Sequence, residues 1–166
     1  MKNSITLLLI SILLLSCNNG KKNNSSSKDY LETVVGTVNN GEYILSEPEL
    51  IKEKWEAELA KKKPGMTLEA FEITKGKTSG DTEEEYYMLL SRTEDGTVTA
   101  AALLTLKGNE FYFESSEGTG GSIHTLIMCM GDCREGCMPT VSISNGIKYL
   151  NCSPCMDCSK LEKGMR

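Results

Sequence analysis

Apolar and polar positions along this chain change period once and then change back. From Leu31 to Val38 and again over Glu42-Tyr43-Ile44-Leu45 the residues are β-prone, and Asn39-Asn40-Gly41 between them predicts a β-hairpin. The spacing then becomes helical: Leu50, Ile51, Trp55 and Leu59 fall on one face, with Glu and Lys elsewhere. Ser46 is placed as the N-cap, Pro48 in the first turn and Glu49 three residues after the cap, the pattern of a capping box. The helix is expected to stop near Lys63, before Pro64-Gly65, and Lys61 to Lys63 read as a solvated end that complements the negative pole of the helix dipole.

Strand periodicity returns over 68–75, 86–93, 97–106 and 110–115, separated by Gly-rich or acidic turns. Turns this short join antiparallel neighbours, so these strands form a meander. Leu68, Phe71, Ile73, Tyr87, Leu89, Leu104 and Leu106 are the expected core. The fold class is therefore α+β: one amphipathic helix packed on an antiparallel β-meander, followed by a cysteine-rich, loop-rich C-terminal module. The expected boundaries are 30–117 for the core and 118–166 for the cysteine-rich module, with Gly118-Thr119-Gly120-Gly121 as a hinge. The sequence shows no internal repeat.

The N-terminus decides what the cysteines can do. Lys2 precedes an apolar run from Ile5 to Leu15, interrupted only by Thr6 and Ser11, that is too short to span a bilayer and has the length of a signal-peptide core. The run ends in Leu14-Leu15-Ser16-Cys17, which resembles the lipobox of bacterial lipoproteins. The resemblance implies a signal peptide at 1–16, cleavage before Cys17, acylation of Cys17 and a lipid bilayer as partner, since two or three acyl chains hold a protein on a membrane durably. Asn18, where an aspartate can signal inner-membrane retention, points to the outer membrane of the cell envelope. Residues 18–29, NNGKKNNSSSKD, contain no apolar side chain, and 17–29 is expected to be the lipidated cysteine and a flexible tether.

Removing the signal leaves 17 basic residues against 23 acidic ones, because only Lys2 is lost. A moderately acidic chain without a basic stripe argues against nucleic acid as a partner. With Cys17 taken by acylation, six of the seven cysteines are left, an even number in a compartment that permits disulfides: Cys129, Cys133, Cys137, Cys152, Cys155 and Cys158.

Three chemistries compete for these six. Structural disulfides would compensate for the small number of large apolar residues in 118–166; fifteen pairings are possible, and bridges between the first triplet and the second are expected, because 140–149 around Asn145-Gly146 reads as a hairpin that brings them together. A soft-metal site is the alternative, with zinc, copper(I) or an iron-sulfur cluster held by the six cysteines, and His124 as a further ligand. The CSPCMDC run resembles the start of a ferredoxin-type cluster motif, but Glu162 stands where the fourth cysteine belongs. Thiol redox catalysis by Cys152-Ser153-Pro154-Cys155 is the least favoured reading, since no helix is expected after the motif to lower a thiol pKa.

Other motifs carry less. Gly76-Lys77-Thr78 lacks the earlier glycine of a phosphate loop, and Asp81, Glu83, Glu84 and Glu85 lack calcium-loop spacing. His124 is the sole histidine, and no Gly-x-Ser-x-Gly elbow occurs. The expectation is a non-catalytic lipoprotein that binds an envelope protein partner or serves as a structural component, with no cofactor and no catalytic residue.

Overall fold

A computed structural model describes residues 29–118, 121–133 and 136–166. The expected signal peptide, the lipidation site Cys17 and the tether up to residue 28 lie outside the described residues. The first strands, β1 (Gly36–Asn39) and β2 (Glu42–Leu45), pair antiparallel around Asn40 and Gly41, whose φ values of 50° and 84° are those of a type I′ turn. This is the hairpin that the Asn-Gly signal predicts.

Helix α1 (Pro48–Ala60) follows, with Pro48 at its first position. Its N-cap is Glu47 and not Ser46, and no side chain caps it. The expected capping box is therefore absent, because the Ser46 N–H is already bound to the Val35 carbonyl at 3.0 Å and extends the β1–β2 ladder by one residue. The helix also ends three residues before Lys63; the amides of Lys61, Lys62 and Lys63 close a final turn onto Glu58 and Leu59. Ile51, Trp55 and Leu59 are buried, as their spacing requires, while Leu50, expected on the same face, is only half-buried.

The remaining elements are strands: β3 (Leu68–Lys77), β4 (Ser79–Gly80), β5 (Glu85–Thr93), β6 (Val98–Lys107), β7 (Glu110–Phe113), β8 (Ser115–Gly118), β9 (Gly121–Met130), β10 (Pro139–Ser144), β11 (Ile147–Cys152) and β12 (Ser159–Met165). β3, β5, β6 and β7 pair consecutively and antiparallel, the expected meander. Leu68 and Phe71 could not share a face in a regular strand, being three apart. A β-bulge between Glu69 and Glu72, with Ala70 at φ 31°, shifts the phase and brings the Phe71 ring to within 5.4 Å of Trp55. All seven residues expected in the core belong to the cluster on the helix side of this sheet, four buried and Phe71, Tyr87 and Leu106 packed against it. The sheet curls around that core, so that Tyr43 on β2 meets Tyr87 on β5 edge to face at 5.9 Å.

The protein is thus mostly antiparallel sheet with one helix, and the sheet is larger than the pattern implied. Among the described residues nine strands form one sheet and three a second. The segment after 118 is not loop-rich. β9 pairs with β6, β8 and β12 inside the main sheet, while β10 and β11 form the second sheet together with β4, which joins β10 in parallel. That second sheet covers the face opposite the helix, where Met88, Leu90, Ala101 and Ile127 pack against Val141 and Leu150. Continuous buried runs in β5, β6 and β9 follow from having cover on both faces.

The 3-10 turn at Tyr30–Glu32 fastens the start of the described chain to its end, with the Tyr30 hydroxyl donating to Met165 Sδ at 3.0 Å. Burial, with Asp29 and Glu58 nearby, pushes the Tyr30 phenol up to about 12. A phenol whose folded pKa lies above its unfolded value of about 10 stabilises the fold below pH ~10 and loses that contribution as pH rises towards 12. In an ultraviolet titration Tyr30 should ionise at about pH 12, and Tyr30→Phe should remove that step. If Tyr30→Phe removes amplitude near pH ~10 and leaves the step at about pH 12 intact, the burial of this ring is contradicted.

Candidate functional site: the sulfur cluster and the groove beside it

Cys129 stands near the end of β9, on the face turned towards the second sheet, and is fully buried beside Ile127 and Val141. Cys152 ends β11, and Cys133, Cys137, Cys155 and Cys158 lie in the two connections that follow these strands. Three disulfides join them in order: Cys129 to Cys152, Cys133 to Cys155 and Cys137 to Cys158, with Cα separations of 5.5, 6.5 and 5.4 Å. All three separations fall in the usual range for a bridge. Each bridge links the first triplet to the second, as expected, and the Asn145-Gly146 turn of the β10–β11 hairpin is what brings the triplets together. The bridges hold this hairpin against the back of the main sheet.

Main-chain contacts reinforce the clamp. Ser153 and Met138 bond reciprocally, the Ser153 amide to the Met138 carbonyl at 2.7 Å and the Met138 amide to Ser153 Oγ at 3.0 Å. A Cβ at Gly131 would run into the Asp157 carbonyl, so the two connections touch there directly. Within Cys152-Ser153-Pro154-Cys155 the two cysteines are bridged to different partners and not to each other, and strand β12 follows instead of a helix.

The sulfurs also group across the bridges. Those of Cys129, Cys137 and Cys152 lie within 4.8 Å of one another, and so do those of Cys133, Cys155 and Cys158. Each group holds one whole bridge and one half of the Cys137–Cys158 bridge. His124 belongs to neither group. It lies one register phase away on β9, with Leu126 and Met128 on the helix side, its ring 6.4 Å from Phe113 and its Nδ1 buried without a hydrogen-bond partner. The sheet separates it from the cysteines, so an ion held by them would not reach His124.

Beside the cluster, the hairpin and the main sheet leave a groove of about 530 Å³ between them. Residues 146–151 form one lip, Ser115, Ile123 and Thr125 are part of its floor, and Lys160 and Glu162 stand on β12 at the far side. Lys148 Nζ lies 3.5 Å from Glu114 and Lys160 Nζ lies 2.7 Å from Glu162. Sequence reasoning missed these residues: they come from strands far apart in the chain, and a lone Lys or Glu on a strand carries no local signal. The acidic run is spread over a turn, where Lys77 pairs with Glu83, Lys75 pairs with Glu85, and Asp81 Oδ2 accepts from the Asn145 amide at 2.9 Å.

No protein family, no curated protein and no solved structure matches this chain.

Proposed function

We propose that this protein is a lipid-anchored lipoprotein of the cell envelope, held in the outer membrane through Cys17, and that it acts as a non-catalytic binding or structural component. The observation that carries this reading is the agreement of two independent features. Cys17 lies in the lipobox-like stretch, and the six cysteines left after it form three disulfides with none over. Bridges of this kind persist only where thiols are not kept reduced, which is where a lipobox would send the chain. Among the described residues no helix is long and apolar enough to cross a membrane, and an acylated Cys17 would supply the attachment. The contact surface is the groove beside the stapled hairpin, since rigidly held strands offer a defined site.

A second reading is favoured by the grouping of the sulfurs. If the bridges are reduced, Cys129, Cys137 and Cys152 on one side and Cys133, Cys155 and Cys158 on the other become two sets of three thiols, suited to copper(I) or zinc. Tetrahedral zinc and an iron-sulfur cluster would each need a fourth ligand beyond the three thiols.

An intact mass separates the two. The domain from Asn18 onward, made in an oxidising compartment and denatured with alkylating agent but no reductant, should weigh about six hydrogens less than the reduced chain and take up no label, as three bridges require. A native mass carrying metal, with labels added after denaturation, would replace the first reading with the second. For the anchor, Cys17→Ser should move the full chain from the detergent phase to the aqueous phase; a variant that stays with detergent would sink the lipid assignment.

A further inference from the structure

The groove has one wall whose chemistry is mainly that of the main chain. The β10–β11 hairpin turns on Asn145 and Gly146, so Ser144 and Ile147 exchange main-chain hydrogen bonds, and the exchange repeats at Ser142 with Tyr149 and Thr140 with Asn151. The N–H and C=O groups of Lys148 and Leu150 must then point away from β10, into the groove. Among the described residues no strand pairs with this edge of β11. The Leu150 carbonyl accepts instead from Lys160 Nζ at 3.2 Å, a side chain standing where a neighbouring strand would place its amide.

We propose that the groove takes an extended peptide segment of a partner protein, which adds to β11 as a further strand. The proposal rests on the reading of this chain as a binding component and names the partner's chemistry. An open strand edge presents donors and acceptors at strand spacing, which only another extended main chain matches along its length. The floor beneath it, Ile123 and Thr125, suits the alternate side chains of such a segment, small or β-branched ones. Charge selects further. Lys148 faces Glu114 and Lys160 faces Glu162, while Glu84 at the rim has no cationic partner among the described residues. The segment therefore carries a lysine or arginine and no proline. Lys160 leaves the Leu150 carbonyl when the segment binds and stays with Glu162. The Cys129–Cys152 bridge fixes the end of β11 over the sheet, so the edge needs no ordering on binding.

The test uses the full chain in detergent against an array of immobilised random heptapeptides, proline-free and each containing a lysine. A subset rich in β-branched residues should be retained. Lys148→Pro removes an outward amide and leaves every bond to β10 in place, so it should weaken binding of that subset about tenfold. Thr125→Arg, which fills the floor, should give a similar loss without depending on proline in the strand. Lys160→Ala frees the Leu150 carbonyl and should tighten binding about threefold. Retention of no peptide, equal retention by Lys148→Pro and Thr125→Arg, or sedimentation showing a dimer that Lys148→Pro dissociates, so that a second copy of the chain fills the edge, overturns the proposal. If peptides fail to bind while the bridges and the lipid anchor are intact, strand addition alone is rejected; missing bridges or a missing anchor would reject the envelope reading instead.

Discussion

Trp55→Ala should lower the unfolding free energy by about 3–5 kcal/mol, the range for deleting a large aromatic side chain from a packed core. Trp55 is fully buried, with the Phe71 ring at 5.4 Å and the Phe113 ring at 6.4 Å, and it is the central contact between the sole described helix and the sheet. Its Nε1–H is buried without a partner. Trp55→Phe therefore removes an unsatisfied donor along with some packing and should cost about 1–2 kcal/mol, well below the alanine variant. Urea unfolding followed by circular dichroism measures both. Equal costs for phenylalanine and alanine would mean that a phenyl ring at this position recovers none of the packing the indole supplies, against the contacts with Phe71 and Phe113.

The second large effect concerns the bridges and is not additive. A single loop of this length, closed by a disulfide, is worth about 3 kcal/mol. The three bridges span separations of 23, 22 and 21 residues and close nearly the same loop. Once one is in place the others restrict the unfolded chain little more. Replacing the Cys133–Cys155 pair with alanines should cost about 1 kcal/mol, because both residues are only half-buried and two neighbouring bridges remain. Removing all three should cost about 3–5 kcal/mol. It should also loosen the β10–β11 hairpin from the sheet and expose Met88, Leu90 and Ile127 to a hydrophobic dye. Stability measured at each stage decides the matter. Three equal losses would mean that the bridges constrain separate loops, and no dye binding after full removal would mean that the hairpin holds itself by packing alone.

How much of this was legible beforehand depends on the range of the interaction. Asn40-Gly41 announced its turn because the conformation it needs is a property of those two residues. The face of α1 was legible because Ile51, Trp55 and Leu59 repeat at helical spacing. The residue types at 46–49 suit a capping box, but the competing partner of the Ser46 amide, the Val35 carbonyl, belongs to another element and leaves no local mark. The apolar type of Phe71 announces a core position, but the bulge at Ala70 that puts it there depends on the pairing with β5 and has no mark in the residues themselves. Leu126-Ile127-Met128-Cys129 is an apolar run buried at every position, which is the local mark of a strand covered on both faces.

By itself the sequence determined the helix and its buried face, the four strands of the meander, the seven core residues and the link from one cysteine triplet to the other. These depend on local periodicity, on turn residues and on the even number of thiols. Only the tertiary structure decided that β9 and β12 complete the main sheet, that the stapled hairpin forms its second cover, that His124 faces away from the sulfurs, and that an open strand edge overlooks a charged groove. The physical reason is that a strand's pattern states how many of its faces are buried but not which segment buries them. That choice is made by pairings between residues far apart in the chain, and no single strand records them.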